Sequence, residues 1–254
     1  MAGFVLIHGS WHGGWCFDAV ADLLRAAGHH VAAPTLPGMG GSDAELAAVT
    51  LQGWAQFAVD ACQALRRDMD AAGASGPIVL AGHSRGGLVV SQAAELDPDA
   101  MDSLVYMCAM MLPTGLSRAE FKALEQPNPD FNAIVSPVAG GAGTVVDMTH
   151  AAAVFAQLSP PDAVAAILPR LMAEPHGPRS ERLSLTAERY GRLPRTYIEC
   201  TQDRTIPIDS QRLMQAKLPG ARVVTLPADH SPYLSFPNEL ADALISAIPA
   251  APRQ

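Results

Sequence analysis

Strands and helices alternate along this chain, and the alternation predicts an α/β protein built on a mostly parallel sheet with helices on both faces. Three observations carry that reading. Short runs rich in Val, Ile and Leu recur, and most are followed by a stretch with helical spacing of its apolar residues. The runs are apolar almost throughout rather than alternating, as strands covered on both faces must be. The pattern then breaks between about residues 112 and 193, where Pro and Gly are frequent and helical fragments stand without a convincing strand. A chain of 254 residues is long enough for one sizeable core. The expected organisation is therefore a core domain made of residues 1–111 and 194–254, with 112–193 inserted as a mainly helical cap.

The elements follow in order. Gly3 to His8 is a β-branched and aromatic run that stops at Gly9-Ser10, as a buried strand feeding a loop would. Phe17, Val20, Leu23 and Leu24 have helical spacing up to Gly28, a C-terminal stop, and His30 to Ala33 is a second strand ended by Pro34. Pro37 to Gly41 is loop. A long helix covers about Leu51 to Ala72, a third strand about Pro77 to Ala81, a helix starts near Ser84 and runs to about Leu96, and Leu104 to Ala109 is a fourth strand. Ala151 to Leu158 and Pro161 to Leu171 are the helical fragments of the insertion. Alternation resumes with a strand at Arg195 to Cys200, a helix near Asp209 to Lys217, a strand at Arg222 to Leu226 and a closing helix after Pro237. The Ala- and Pro-rich tail is expected to fray.

Composition removes several function classes. A formal charge of -8 works against binding polyanions such as nucleic acid or an anionic membrane surface. No apolar run reaches the roughly 18 residues of a membrane span. The N-terminus lacks the basic segment, apolar stretch and cleavage site of a secretory signal, which predicts a cytoplasmic protein. Cys16, Cys62, Cys108 and Cys200 lie far apart without a CxxC pair, so they read as buried thiols rather than a zinc site or disulfide framework. A homodimer is left open.

Gly82-His83-Ser84-Arg85-Gly86 matches G-x-S-x-G between an expected strand and an expected helix, the context that makes Ser84 a nucleophile rather than a helix cap. A serine hydroxyl needs a base and a group to orient that base. Of the eight histidines, His230 follows the last expected strand, in Pro227-Ala228-Asp229-His230-Ser231-Pro232. Asp203, just after the Arg195 to Cys200 strand, completes the order Ser, acid, His. Asp209 competes but looks like the start of a helix, and Asp229 is too close in sequence to reach the ring's far nitrogen. Acyl transfer also needs donors for the developing oxyanion. The backbone N–H groups of Ser10, in His8-Gly9-Ser10-Trp11, and of Arg85 are the expected pair. Met110, Met111, Phe121, Phe131, Met148, Phe155, Leu158 and Met172 could line an apolar pocket or hold the cap together, and Trp11, Trp15 and Trp54 are expected to pack in the core.

The chain resembles the plant methylesterase and hydroxynitrile lyase branch of the α/β-hydrolases and its bacterial esterase relatives, including pyrethroid-hydrolysing carboxylesterases. The likeness rests on Phe4 to Trp15, the elbow around Ser84, Leu158-Ser159-Pro160-Pro161-Asp162, Thr201-Gln202-Asp203 with Ile206-Pro207, and Ala228-Asp229-His230. It implies an α/β-hydrolase fold, a cap over an apolar pocket, and a carboxylesterase acting on a small to medium hydrophobic ester through an acyl-enzyme. It implies neither a metal nor an organic cofactor. Lactonase or thioesterase chemistry would use the same triad, and a slow hydrolase serving as a receptor is the rival from another class. The lyases of this branch carry a threonine after the first strand's histidine and a lysine after the catalytic histidine. Here those positions hold Gly9 and Ser231, which argues against cyanide release. Arg85 departs from the apolar residue common among relatives and adds a charge near the elbow.

Overall fold

The computed structural model describes residues 1–250. In chain order the core elements are β1 (Gly3–Ile7), α1 (Asp18–Ala26), β2 (His30–Ala32), α2 (Asp43–Ala48), α3 (Leu51–Ala71), β3 (Ile78–His83), α4 (Gly86–Leu96) and β4 (Ser103–Met107). The next segment carries α5 (Arg118–Phe121), α6 (Pro129–Ala133), β5 (Val135–Val138), β6 (Gly143–Val146), α7 (Met148–Phe155), α8 (Pro161–Ile167) and β7 (Glu174–Pro175). The chain closes with β8 (Arg195–Cys200), α9 (Ile208–Lys217), β9 (Arg222–Leu226), α10 (Pro232–Ser235) and α11 (Pro237–Ile245). Part of the Ala- and Pro-rich tail, residues 251–254, lies outside the described residues. No helix among those described is long and apolar enough to cross a membrane.

Six strands form one parallel sheet in the order β2-β1-β3-β4-β8-β9. The fold is the α/β-hydrolase fold, a six-stranded parallel sheet flanked by helices. Its strands feed two separate hydrophobic clusters because successive side chains leave opposite faces. Val5, Ile7, Ile78, Leu80, Leu104 and Tyr106 pack on the side of α3 and α4, whereas Phe4, Leu6, Val79, Ala81, Val105 and Met107 pack on the side of α1 and α11. Helix α3 shows how the sequence chooses its face. Thr50 caps it by accepting from the Gly53 N–H, and Leu51, Trp54, Ala55, Ala58, Val59, Cys62, Leu65 and Met69 then recur at helical spacing as its buried stripe.

The segment between β4 and β8 corrects one expectation. Besides its short helices it holds a three-stranded antiparallel sheet in the order β5-β6-β7. These strands hide in the sequence because they are two to four residues long, contain Pro137, Gly143 and Pro175, and leave Ser136 and Pro137 exposed, so neither an apolar run nor an alternation emerges. Helix α2 was also unread, although Ser42 and Glu45 form a reciprocal capping box that the sequence spells out.

Candidate active site

The chemistry gathers at the carboxyl edge of the sheet, where β1, β3, β8 and β9 each hand over to a loop. Gly82 ends the pairing of β1 with β3, opposite Ile7, so the loop after β1 and the turn after β3 are neighbours. Ser84 sits on that turn with φ of 53°, a left-handed conformation that costs an L-residue about 1–2 kcal/mol. The surroundings hold it there. Its N–H donates to the Met107 carbonyl and its own carbonyl accepts from the N–H groups of Met110 and Gly87. A Cβ on Gly82 would come within 2.7 Å of the Gly86 backbone, and one on Gly86 within 2.6 Å of the Ile7 carbonyl oxygen. The elbow is therefore closed to any residue larger than glycine at both positions.

Three residues far apart in sequence meet in a line. The Ser84 hydroxyl lies 2.9 Å from His230 Nε2, and His230 Nδ1 lies 2.7 Å from Asp203 Oδ2. The consistent tautomer has Nδ1–H donating to Asp203, which leaves Nε2 to accept from Ser84. Asp203 Oδ1 accepts the N–H groups of Thr205 and Ile206 at 2.7 and 2.8 Å, and Gln211 Nε2 donates to Oδ2 at 3.3 Å. Four donors around one buried carboxylate fix its direction. The backbone of His230 is held as well, because His83 Nε2 donates to its carbonyl at 2.7 Å. His83, Cys108 and His230 lie close enough together to resemble a metal cluster. Both ring nitrogens of His230 are already committed to Asp203 and Ser84, and the Cys108 thiol, pushed up by burial, points at the His230 carbonyl.

Asp209 and Asp229 stand where the sequence placed them, away from this line. Asp209 is exposed in the first turn of α9. Asp229 is fully buried and accepts from the Leu158 N–H, Ser159 hydroxyl, Ser231 N–H and Ser235 hydroxyl. It fastens the Leu158-Ser159 turn of the inserted segment to the loop that carries His230.

The loop after β1 brings Ser10 beside Ser84. Among the described residues, neither the Ser10 N–H nor the Arg85 N–H donates to a protein acceptor, and both residues line the cavity over Ser84. The loop is stiffened by two neutral histidines. His8 Nδ1 donates to the Gly9 carbonyl while its Nε2 accepts from the Leu36 N–H, and burial pushes its pKa down to about 3. His12 Nδ1 donates to the Ser10 carbonyl at 2.7 Å, and burial pushes it down to about 4. The second hydrogen bond orients the very peptide unit whose neighbour would serve the oxyanion. Gly9 has a steric role here, since a Cβ on it would fall 2.7 Å from Ser84 Cβ.

A cavity opens over Ser84, with apolar walls and a few convergent polar groups. Of the apolar residues singled out in sequence, Met110, Phe131 and Phe155 line it, whereas Phe121 is in the core and Met148 and Leu158 are exposed. Trp11, expected to pack in the core, also forms part of this wall, and Trp54 does sit in the core. The Arg85 side chain is not a free charge at the mouth. It is buried, ion-paired with Glu174 at 2.5 Å, stacked over the Trp54 ring and donating to the Pro175 carbonyl. Glu174, Arg118 and Arg179 line the same cavity and were missed. No sequence signal marks Glu174 and Arg179, because β7 and its flanks have no readable periodicity, and the Ser117-x-x-Glu120 cap around Arg118 marks a helix start but not a cavity.

The sequence profile described as "Alpha/beta hydrolase family" matches residues 4–243. The pyrethroid hydrolase of Sphingobium wenxiniae is 33% identical over 251 residues, covering 94% of this chain and 85% of its own. Esterase PIR7B of Oryza sativa subsp. japonica is 31% identical, covering 95% and 94%, and methyl jasmonate esterase 1 of Vitis vinifera is 30% identical, covering 93% of each. Among solved structures, a pyrethroid hydrolase from Sphingobium faniae superposes with a TM-score of 0.80 at 30% identity over 97% of both chains.

Proposed function

This chain belongs to the alpha/beta hydrolase family, and from that membership and the site geometry we propose that it is a serine carboxylesterase acting on a small to medium hydrophobic ester. Its relatives are esterases and hydrolases; the triad and the choice of ester are the proposal. The observation that carries it is the unbroken line from Ser84 Oγ through the His230 ring to Asp203, at 2.9 and 2.7 Å.

In the proposed reaction Ser84 Oγ attacks the ester carbonyl carbon as its proton passes to His230 Nε2. The new C–O bond pushes the carbonyl π electrons onto oxygen, where the N–H groups of Ser10 and Arg85 receive the charge. Asp203 holds Nδ1–H and stabilises the imidazolium. Collapse of the tetrahedral species breaks the bond to the alcohol oxygen, which leaves with the proton from Nε2. Water then attacks the acyl-Ser84 carbonyl, His230 accepts its proton, and the acid departs as Ser84 is restored. Residues 112–193 act as the cap over this site in the same proposal, with Trp11, Met110, Phe131 and Phe155 giving the cavity its apolar walls.

The test is fluorophosphonate labelling and ester turnover of the wild type beside Ser84→Ala. Labelling confined to Ser84, with turnover lost in the variant and the fold retained, is the expected result. Labelling at another serine, or turnover that survives the substitution, overturns the assignment. A wild type that binds esters without turning them over would favour the receptor reading.

A further inference from the structure

The walls of the cavity combine apolar surface with a cationic corner that composition does not predict, since the chain as a whole carries a formal charge of -8. Arg85, Arg118 and Arg179 all line it, against the single carboxylate of Glu174. Arg85 is matched by Glu174 at 2.5 Å, and Arg118 by Glu125 at 2.5 Å just outside the cavity. Among the described residues Arg179 has no carboxylate within salt-bridge distance, and its Nε is buried without a hydrogen-bond acceptor. Burial lowers the pKa of Arg179, while nearby Glu174 raises it and Arg118, to a smaller degree, lowers it again. A buried guanidinium nitrogen without an acceptor is costly, and a carboxylate, which can meet a guanidinium in a bidentate way, is a ligand that would satisfy it.

We infer that the substrate carries a carboxylate of its own, bound by Arg179 in this corner, while the ester carbonyl reaches Ser84 and the intervening carbon skeleton lies against Trp11, Phe131 and Phe155. This rests on the esterase reading for its chemistry but not for its binding, and it narrows the substrate class to half-esters and acylated hydroxy acids. The anionic group can belong to the acyl or to the alcohol part, and the experiment separates the two. The ratio of kcat/KM is measured for mono-4-nitrophenyl glutarate over 4-nitrophenyl pentanoate, and for 4-acetoxybenzoate over phenyl acetate. A preference for the acid of about tenfold or more in the first pair assigns the carboxylate to the acyl side, and in the second pair to the alcohol side. Arg179→Gln is expected to abolish that preference and Arg179→Lys to restore part of it. Equal ratios in wild type and Arg179→Gln, or no preference in either pair, overturn the inference while leaving an esterase. Titration of Ser84→Ala protein with the same acids and their neutral partners reads binding alone. Tighter binding of an acid, lost when Arg179→Gln is added, supports the inference even if no ester is cleaved, and equal binding overturns it.

Discussion

Arg85 and Glu174 form a buried ion pair at 2.5 Å that joins the residue after Ser84 to strand β7. Glu174 also accepts from the Thr144 hydroxyl at 3.1 Å, and Thr144 accepts from Trp11 Nε1 at 3.2 Å. The network thus links the elbow, the β5-β6-β7 sheet and the loop after β1, which are the three parts that meet over Ser84. Because the pair is out of water, each charge is tolerated only in the presence of the other. That makes the insertion's position depend on the elbow and the elbow's on the insertion.

Arg85→Met is therefore expected to destabilise the protein by about 3 kcal/mol, since Glu174 would remain buried and charged with only the more distant Arg179 to offset it. Adding Glu174→Gln should recover most of the loss, because the double variant buries no unmatched charge. Urea unfolding of wild type, both single variants and the double variant measures the coupling. Additive losses would mean that the two side chains act independently.

The contrast between Asp203 and Asp229 separates chemistry from positioning. Asp203→Asn presents the wrong group to His230 Nδ1 and is expected to lower kcat by about 10⁴-fold at modest cost in stability. Asp229→Asn replaces an acceptor of four donors with a group whose NH₂ faces two of them, and is expected to cost about 2–4 kcal/mol while kcat falls far less. Asp209→Asn, on the exposed first turn of α9, should change neither by much. Steady-state kinetics with thermal melts on all three variants check the ranking, and a kcat for Asp229→Asn as low as that for Asp203→Asn would assign Asp229 to the reaction.

What was legible in the sequence was whatever local rules constrain strongly. The inner strands read most clearly because both of their faces are buried, which forces continuous apolar runs such as Phe4 to Ile7 and Ile78 to Ala81, while the edge strands β2 and β9 are partly exposed. Ser84, His230 and Asp203 could be brought together from sequence because each follows a strand end, and strand ends in a parallel sheet converge on one edge. Residues whose role comes only from packing across the insertion were invisible. Glu174, Thr144 and Arg179 belong to no motif, and the two-residue β7 is too short for any period. Arg85 was visible as an oddity, but its partner lies 89 positions later and nothing local connects them.

Stability is expected to fall as the medium is acidified below the ordinary histidine value. His8 and His12 are held neutral by burial, down to about 3 and about 4, whereas each takes up its proton near 6.5 once unfolded. Between those limits the unfolded chain binds protons that the folded chain refuses, so unfolding gains with each step down in pH, and above about 6.5 these groups contribute no pH dependence. Burial acts on His83 in the same direction. By about pH 5 each such histidine should have cost about 2 kcal/mol relative to neutral pH. Urea unfolding between about pH 7.5 and pH 5 reads the slope, and His12→Gln, which can still donate to the Ser10 carbonyl, should make it shallower. An unchanged slope in that variant would show that His12 titrates alike in both states.

Hydrolysis without cyanide release is expected even though the branch this chain resembles includes lyases. Cyanide leaves as an anion, and a lysine ammonium beside the catalytic histidine is suited to hold it. Here that position is Ser231, which is fully buried and spends its hydroxyl on the Tyr233 phenol at 3.2 Å. The threonine those lyases carry after the first strand's histidine is replaced by Gly9, where a Cβ would sit 2.7 Å from Ser84 Cβ and 2.9 Å from the His83 ring. A side chain there would displace Ser84 before it could hold a substrate hydroxyl. One preparation assayed with a 4-nitrophenyl ester and with mandelonitrile decides the matter. Cyanide release faster than ester cleavage, abolished by Ser84→Ala, would make the protein a lyase, and the steric argument at Gly9 would then be wrong.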